Sequence, residues 1–246
     1  MQFGGLKAVS QLELILPEGS LTGLIGPNGA GKTTAFNMIT GVYKPTSGTV
    51  RFQGEVISGM KANRIARAGI TRTFQNIRLF TQLTCRDNVA IACHPMAKAS
   101  VLDAVFQTQA FKRDEAALYQ VADEMIEIMG LESVSDVRST ELSYGQQRRL
   151  EIARALAGRP KLLLLDEPAA GLNPQESEAL MKLIRDIRVR FELTLLLIEH
   201  DMKVVMGICE RIAVLDHGIK IAEGTPAEIR AHPKVIEAYL GEETHA

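Results

Sequence analysis

The sequence is poor in the features that mark several large protein classes. Its three cysteines, Cys85, Cys93 and Cys209, are an odd number with no C-x-x-C spacing. That excludes a disulfide framework or structural zinc site and points to a reducing compartment. Long hydrophobic runs are absent: Leu162 to Leu165 and Leu193 to Ile198 are among the longest, far below spanning length. The opening Met1-Gln2-Phe3-Gly4-Gly5 has no basic and apolar leader pattern. The chain is therefore expected neither to be exported nor to cross a bilayer by itself. Excess charge is missing too, since a formal net charge of −1 gives no basic footprint and no nucleic-acid partner is expected. No repeat, low-complexity tract or linker divides the 246 residues, and 46% hydrophobic content suffices for one sizeable core.

What is present begins with Gly26-Pro27-Asn28-Gly29-Ala30-Gly31-Lys32-Thr33, a G-x-x-x-x-G-K-T run between a strand-like stretch, Leu21 to Ile25, and a helix-like one from Thr33. Glycines let successive backbone N–H groups converge on one phosphate chain, and the helix adds its positive end to the same spot. Lys32 supplies charge for the β- and γ-phosphates and Thr33 a hydroxyl for magnesium, so the run reads as a nucleoside triphosphate site.

A second run, Leu162-Leu163-Leu164-Leu165-Asp166-Glu167, has a buried-strand pattern ending in two acids. In an open α/β sheet, ligands sit at the carboxyl ends of strands, which puts both acids beside the phosphate loop. Asp166 is placed to hold magnesium, and Glu167 to orient and deprotonate an attacking water. A third strand, Thr194 to Ile198, delivers Glu199-His200-Asp201 to the same edge, so His200 has a reason to face the γ-phosphate. Gln75 follows the strand-like Ile70 to Phe74; alone, it reads equally well as an ordinary loop residue. Leu142-Ser143-Tyr144-Gly145-Gln146 opens a helix with an S-x-x-Q capping box, which offers a second anion site or a plain capped helix.

Short leucine-rich or β-branched runs alternate with helical patterns elsewhere, which argues a largely parallel sheet covered by helices. Asn173, Pro174 and Glu176 punctuate a helix start, and Asp216-His217-Gly218 reads as a hairpin between Ile212 to Leu215 and Ile219 to Ala222. Lys98 to Glu141 has a different texture, with Leu118, Ala122, Met125 and Met129 on one helical face ending near Gly130, as a helical insertion would have. Lys61, Arg64, Arg67 and Arg72 read as a solvated helix face, with docking to a permease or lipid as the alternative.

The phosphate loop, Gln75, the LSYGQ run, the LLLLDEP run and His200, in this order, resemble the ATP-binding subunits of ABC transporters, and the resemblance covers essentially the whole chain. It implies an α/β P-loop NTPase fold: a RecA-like core, residues 1–72 and 157–246, with an antiparallel β-subdomain and an inserted helical subdomain, residues 73–156. It also implies Mg-dependent ATP hydrolysis in a head-to-tail dimer, homo- or heterodimeric, each ATP lying between one phosphate loop and the other subunit's signature helix. The ATP contacts implied are Phe3, Gly26, Pro27, Asn28, Gly29, Ala30, Gly31, Lys32, Thr33 and Thr34, with Ser143, Tyr144, Gly145 and Gln146 of the facing subunit. Thr33, Gln75 and Asp166 would hold magnesium, with Glu167, His200, Gln75 and Lys32 catalytic. Ala170-Gly171-Leu172-Asn173 corresponds to the loop at the dimer seam.

Phe3 to Val9, Thr73 to Phe80 and Ala238 to Gly241 are similar to the LivG-type ATPases of high-affinity branched-chain amino acid importers. Tyr144 in place of a signature glycine and Asn173 in place of an aspartate fit that branch. The start of the chain leaves no room for the first strand such domains have before Phe3, the adenine-stacking position, a departure that bears on adenine stacking and on the stability of the antiparallel sheet. The resemblance implies a peripheral subunit on the cytoplasmic face of the cell membrane, attached to transmembrane permeases and served indirectly by a periplasmic or extracellular solute-binding protein. Importers of urea, short amides or other amino acids, a soluble non-transport ABC ATPase, and a regulatory module without turnover are the alternatives.

Overall fold

The computed structural model describes residues 1–243; residues 244–246, the end of the segment 157–246, lie outside it, as do the side chains of Met96, Val101 and those from Leu240 onward. Its strands are β1 (Gln2–Phe3), β2 (Leu6–Lys7), β3 (Leu21–Ile25), β4 (Arg51–Phe52), β5 (Glu55–Val56), β6 (Ile70–Arg72), β7 (Leu162–Asp166), β8 (Thr194–Ile198), β9 (Arg211–Asp216) and β10 (Ile219–Gly224). The helices are α1 (Lys32–Ile39), α2 (Ala62–Ala68), α3 (Cys85–Cys93), α4 (Val101–Val105), α5 (Gln109–Ile128), α6 (Tyr144–Ala157), α7 (Pro174–Arg190), α8 (Met202–Ile208), α9 (Pro226–Arg230) and α10 (Pro233–Glu243).

The central sheet runs β10-β9-β3-β8-β7-β6, parallel throughout except for the antiparallel edge strand β10. Its inner strands β3, β7 and β8 are buried along their whole length, which is why they are written as unbroken apolar runs rather than alternations. Successive residues still take opposite faces. Leu163, Leu165, Leu195 and Leu197 join a core with α3, α5, α6, α7 and α8. Leu162, Leu164, Leu196 and Ile198 join the other, with Ala35 and Phe36 of α1 and Ile65 of α2. Each fully buried leucine contributes about 1.5–3 kcal/mol, so the two cores together fix the register of the strands.

The segment between β6 and β7 is helical, with α3, α5 and α6 packed on one another. The face of Leu118, Ala122, Met125 and Met129 is where α5 meets this layer, the last three fully buried and Leu118 partly so. The antiparallel strands form two separate two-stranded ribbons, β1 with β2 and β4 with β5. Residues 8–16 belong to no strand among the described residues, with Leu12, Leu14 and Leu16 against the second core. Gln11 takes a φ of 49° there, which breaks the pleat a ladder needs.

Arg72 departs from its expected place. It is not on the helix of Lys61, Arg64 and Arg67 but ends β6, with its side chain 8% exposed.

Candidate active site at the carboxyl edge of the sheet

The loop after β3 needs glycine at two points for steric reasons. A Cβ on Gly26 would lie 1.9 Å from the Leu215 carbonyl oxygen, and one on Gly31 2.4 Å from that of Ala8, both at positive φ. Gly31 caps α1 in the left-handed region, with no side chain closing the helix end and no acid in its first turn. The head of α1 therefore has no carboxylate to compete with an anion. Asn28, Gly29 and Thr33 are exposed beside it, Thr34 is half-buried, and Pro27 and Ala30 pack inward. Lys32 is buried and donates from Nζ to the carbonyl oxygens of Gly26 (2.6 Å) and Pro27 (2.8 Å), folding back over the loop.

β6, β7, β8 and β3 are parallel neighbours, so their carboxyl ends meet at one edge. Asp166 ends β7 with its side chain 5% exposed. Glu167 sits at φ 48°, a left-handed conformation uncommon for a non-glycine residue and frequent at functional sites, with its N–H bound to Ile198 O at 2.8 Å. Its Oε2 accepts from Gln75 Nε2 at 2.8 Å and lies 3.7 Å from His200 Nδ1. Gln75, Glu167 and His200 are thus brought together, within reach of solvent.

Ser143, Tyr144, Gly145 and Gln146 sit at the head of α6, where the Tyr144 hydroxyl accepts from Arg148 Nη2, the same nitrogen that donates to Gln75 O. Ser143 Oγ accepts from Gln146 N at 3.3 Å and Gln146 Oε1 from Ser143 N at 2.9 Å. Ser143, Gly145 and Gln146 line a small cavity of about 220 Å³ with Arg149, Leu172 and Glu176. Phe3 is half-exposed, its ring packed edge-on against Tyr43 at 5.1 Å. A larger cleft, about 1380 Å³, is lined by residues 9–16, 45–53, 159–162 and 190–194 among others, and none of the candidate catalytic side chains lines it. Chemistry rather than size identifies the site.

Four residues at this edge were missed because their roles depend on distant partners. Arg72 Nη2 meets Asp166 Oδ2 at 2.5 Å. Arg148 of α6 donates to the carbonyl oxygens of Phe74 (3.0 Å) and Gln75 (2.6 Å), while Glu151 Oε1 accepts from Phe74 N at 3.2 Å. α6 thereby grips the backbone that carries Gln75. Glu199, 1% exposed, accepts from Ala169 N at 2.8 Å, and burial holds its carboxyl above the ordinary 4.5. An i,i+3 pair such as Arg148 and Glu151 reads from sequence as a solvated helix face, and nothing local shows that it is buried.

With this geometry in place, comparison with known proteins settles the kinship. The ABC transporter family profile matches residues 9–170. The chain belongs to the ABC transporter family. A second profile, for branched-chain amino acid ATP-binding cassette transporters, matches residues 220–245 of this ABC chain. Among its relatives, the high-affinity branched-chain amino acid transport ATP-binding protein BraF of Pseudomonas aeruginosa is 48% identical over 98% of this chain and 95% of the relative. The corresponding protein LivG of Escherichia coli is 47% identical over the same shares. A solved ATP-binding cassette of an ABC transporter in its ADP conformation superposes with a TM-score of 0.84 at 30% identity, covering 98% of this chain and 95% of that one. No described helix is long and apolar enough to cross a membrane.

Proposed function

We propose that this ABC chain is the ATP-hydrolysing subunit of an importer of branched-chain amino acids, a Mg-dependent ATPase bound peripherally to permease subunits at the cytoplasmic face of the cell membrane. The observation that carries the reading is the meeting of Gln75, Glu167 and His200 at the strand edge that also bears the Gly26 to Thr33 loop. The names of its relatives supply the solute class.

The loop N–H groups, Lys32 and Thr34 hold the triphosphate, and Phe3 stacks on the adenine. The donors offered to a metal, the Thr33 hydroxyl, the Asp166 carboxylate and the Gln75 amide oxygen, are hard oxygens of the kind magnesium takes alongside phosphates. Among the described residues no group of three His, Cys, Asp or Glu is placed to hold a metal ion. When bound, magnesium neutralises charge on the β- and γ-phosphates. Glu167 takes the proton of the attacking water, Gln75 orients the water and His200 steadies the γ-phosphate. Lys32 shifts from the Gly26 and Pro27 carbonyls to the phosphates.

The reading places the head of α6 against the ATP of a second ABC subunit, identical or similar. The chain then acts as one ATP-binding domain, with residues 73–156 as a helical subdomain toward the permeases and 1–72 with 157–246 as the core. A periplasmic solute-binding protein communicates only through the permeases.

Glu167→Gln tests the chemistry. It keeps size and hydrogen bonding but cannot take a proton, so steady-state turnover is expected to fall by about two to four orders of magnitude while ATP binding survives. Normal turnover in the variant would remove Glu167 from the mechanism. Loss of high-affinity leucine, isoleucine and valine uptake in cells lacking the gene tests the solute; intact uptake would overturn it.

A further inference from the structure

We propose that Arg72 is a positioning residue for Asp166, a built-in cation that neutralises this carboxylate while nucleotide is absent, so that a divalent metal enters the site only together with the triphosphate. The inference rests on the reading of Asp166 as a magnesium contact. Arg72 shares the strand parity of Ile70, which is 3% exposed in the second core, so an apolar residue is what its place in β6 would ordinarily hold. A guanidinium is found there instead. Burying a charge is costly unless it is paired, and the pairing is close: Nη2 to Asp166 Oδ2 at 2.5 Å, with side chains 8% and 5% exposed.

The group is also held from the other directions. Nη1 donates to Asn37 Oδ1 of α1 at 2.6 Å. Its carbon lies 5.3 Å from the ring centre of Phe36 and 5.2 Å from that of Phe74. The planar fork thus joins the helix of the phosphate loop, the strand end bearing Asp166 and the segment leading to Gln75, a geometry an ammonium could not reproduce. Two consequences follow. Asp166 is fixed in one rotamer before any ligand arrives, and its charge is balanced, so a free divalent ion meets no net negative field from this pair. The phosphates must bring the missing charge.

The test measures metal binding without turnover. Free Mn2+ is titrated into the full chain and followed by electron paramagnetic resonance, with and without a non-hydrolysable ATP analogue, for wild type, Arg72→Gln, Arg72→Lys and Arg72→Gln with Asp166→Asn. Wild type is expected to take up Mn2+ only with the analogue. Arg72→Gln, which keeps a donor but loses the charge, is expected to bind Mn2+ alone about tenfold or more tightly than wild type, the scale of one removed charge at close range in water. Arg72→Lys, which keeps the charge but not the fork, should still take up Mn2+ only with the analogue, and the double variant should lose the gain. Equal Mn2+ affinity in wild type and Arg72→Gln, or a gain that survives Asp166→Asn, overturns the role of Arg72. Failure of wild type to bind Mn2+ even with the analogue instead overturns Asp166 as a metal contact, and the proposal with it. Should Arg72→Gln not stay folded without metal, recovery of its melting transition by Mn2+ alone supports the proposal, and no recovery overturns it.

Discussion

The heads of α1 and α6 are both helix ends suited to an anion, yet they are built in opposite ways. At α1 the cap is Gly31, which has no side chain to offer, and no acid stands in the first turn. At α6 the cap is Ser143, whose hydroxyl accepts from Gln146 N while Gln146 returns the bond to Ser143 N. The open head needs a ligand to satisfy its donors, whereas the closed head is partly satisfied by itself. A site of the first kind binds in a lone subunit. One of the second kind adds to binding only when another surface presents the phosphate, which suits a contact made across a dimer.

Three measurements can break or sharpen this contrast. The largest effect is expected at the open head: Lys32→Ala should remove most ATP binding in the isolated chain, by about one to two orders of magnitude, because a charge-assisted partner of the phosphates is lost. Its melting temperature should change little, since the carbonyls of Gly26 and Pro27 that Nζ meets can turn to water. Isothermal titration with the thermal scan checks both; unaltered affinity would move the nucleotide away from this loop.

At the closed head, Ser143→Ala should leave ATP affinity of the lone subunit unchanged and cost about 1 kcal/mol of stability, the ordinary value of a lost N-cap. Turnover of the assembled pair should fall, and weaker nucleotide binding by the lone subunit would erase the distinction between the heads.

The smallest effect concerns Glu199, which ties the edge of the open head to the turn that continues toward α7. Its folded pKa is raised by burial, so the stability it contributes is fully present below 4.5 and is lost as pH rises through the folded value. Glu199→Gln keeps an acceptor for Ala169 N but does not titrate. Its stability relative to wild type should therefore increase as pH rises above 4.5, as read from denaturant midpoints across pH; a constant difference would mean that Glu199 does not couple folding to pH.

The same contrast explains what could be read in the sequence. The phosphate loop, the buried strand ending in Asp166 and Glu167, the capping boxes of α6 and α7 and the hairpin at Asp216 to Gly218 are written over a few adjacent residues, because each is a local solution to a local hydrogen-bonding problem. Arg72 was misplaced for the opposite reason: its basic neighbours suggest solvent, and its partners Asn37, Phe36 and Asp166 come from other elements. Arg148 and Glu151 escaped notice in the same way, since their bonds reach backbone more than seventy residues earlier in the chain.

By itself, then, the sequence determined the main strands and helices and the short runs offered as phosphate sites, since backbone preferences and end-capping act within a turn or two of the chain. Only the tertiary structure decided which charges are buried and paired at the carboxyl edge of the sheet. It also decided that the antiparallel strands close into two small ribbons, because strand pairing and the desolvation of an arginine depend on what distant elements bring against them.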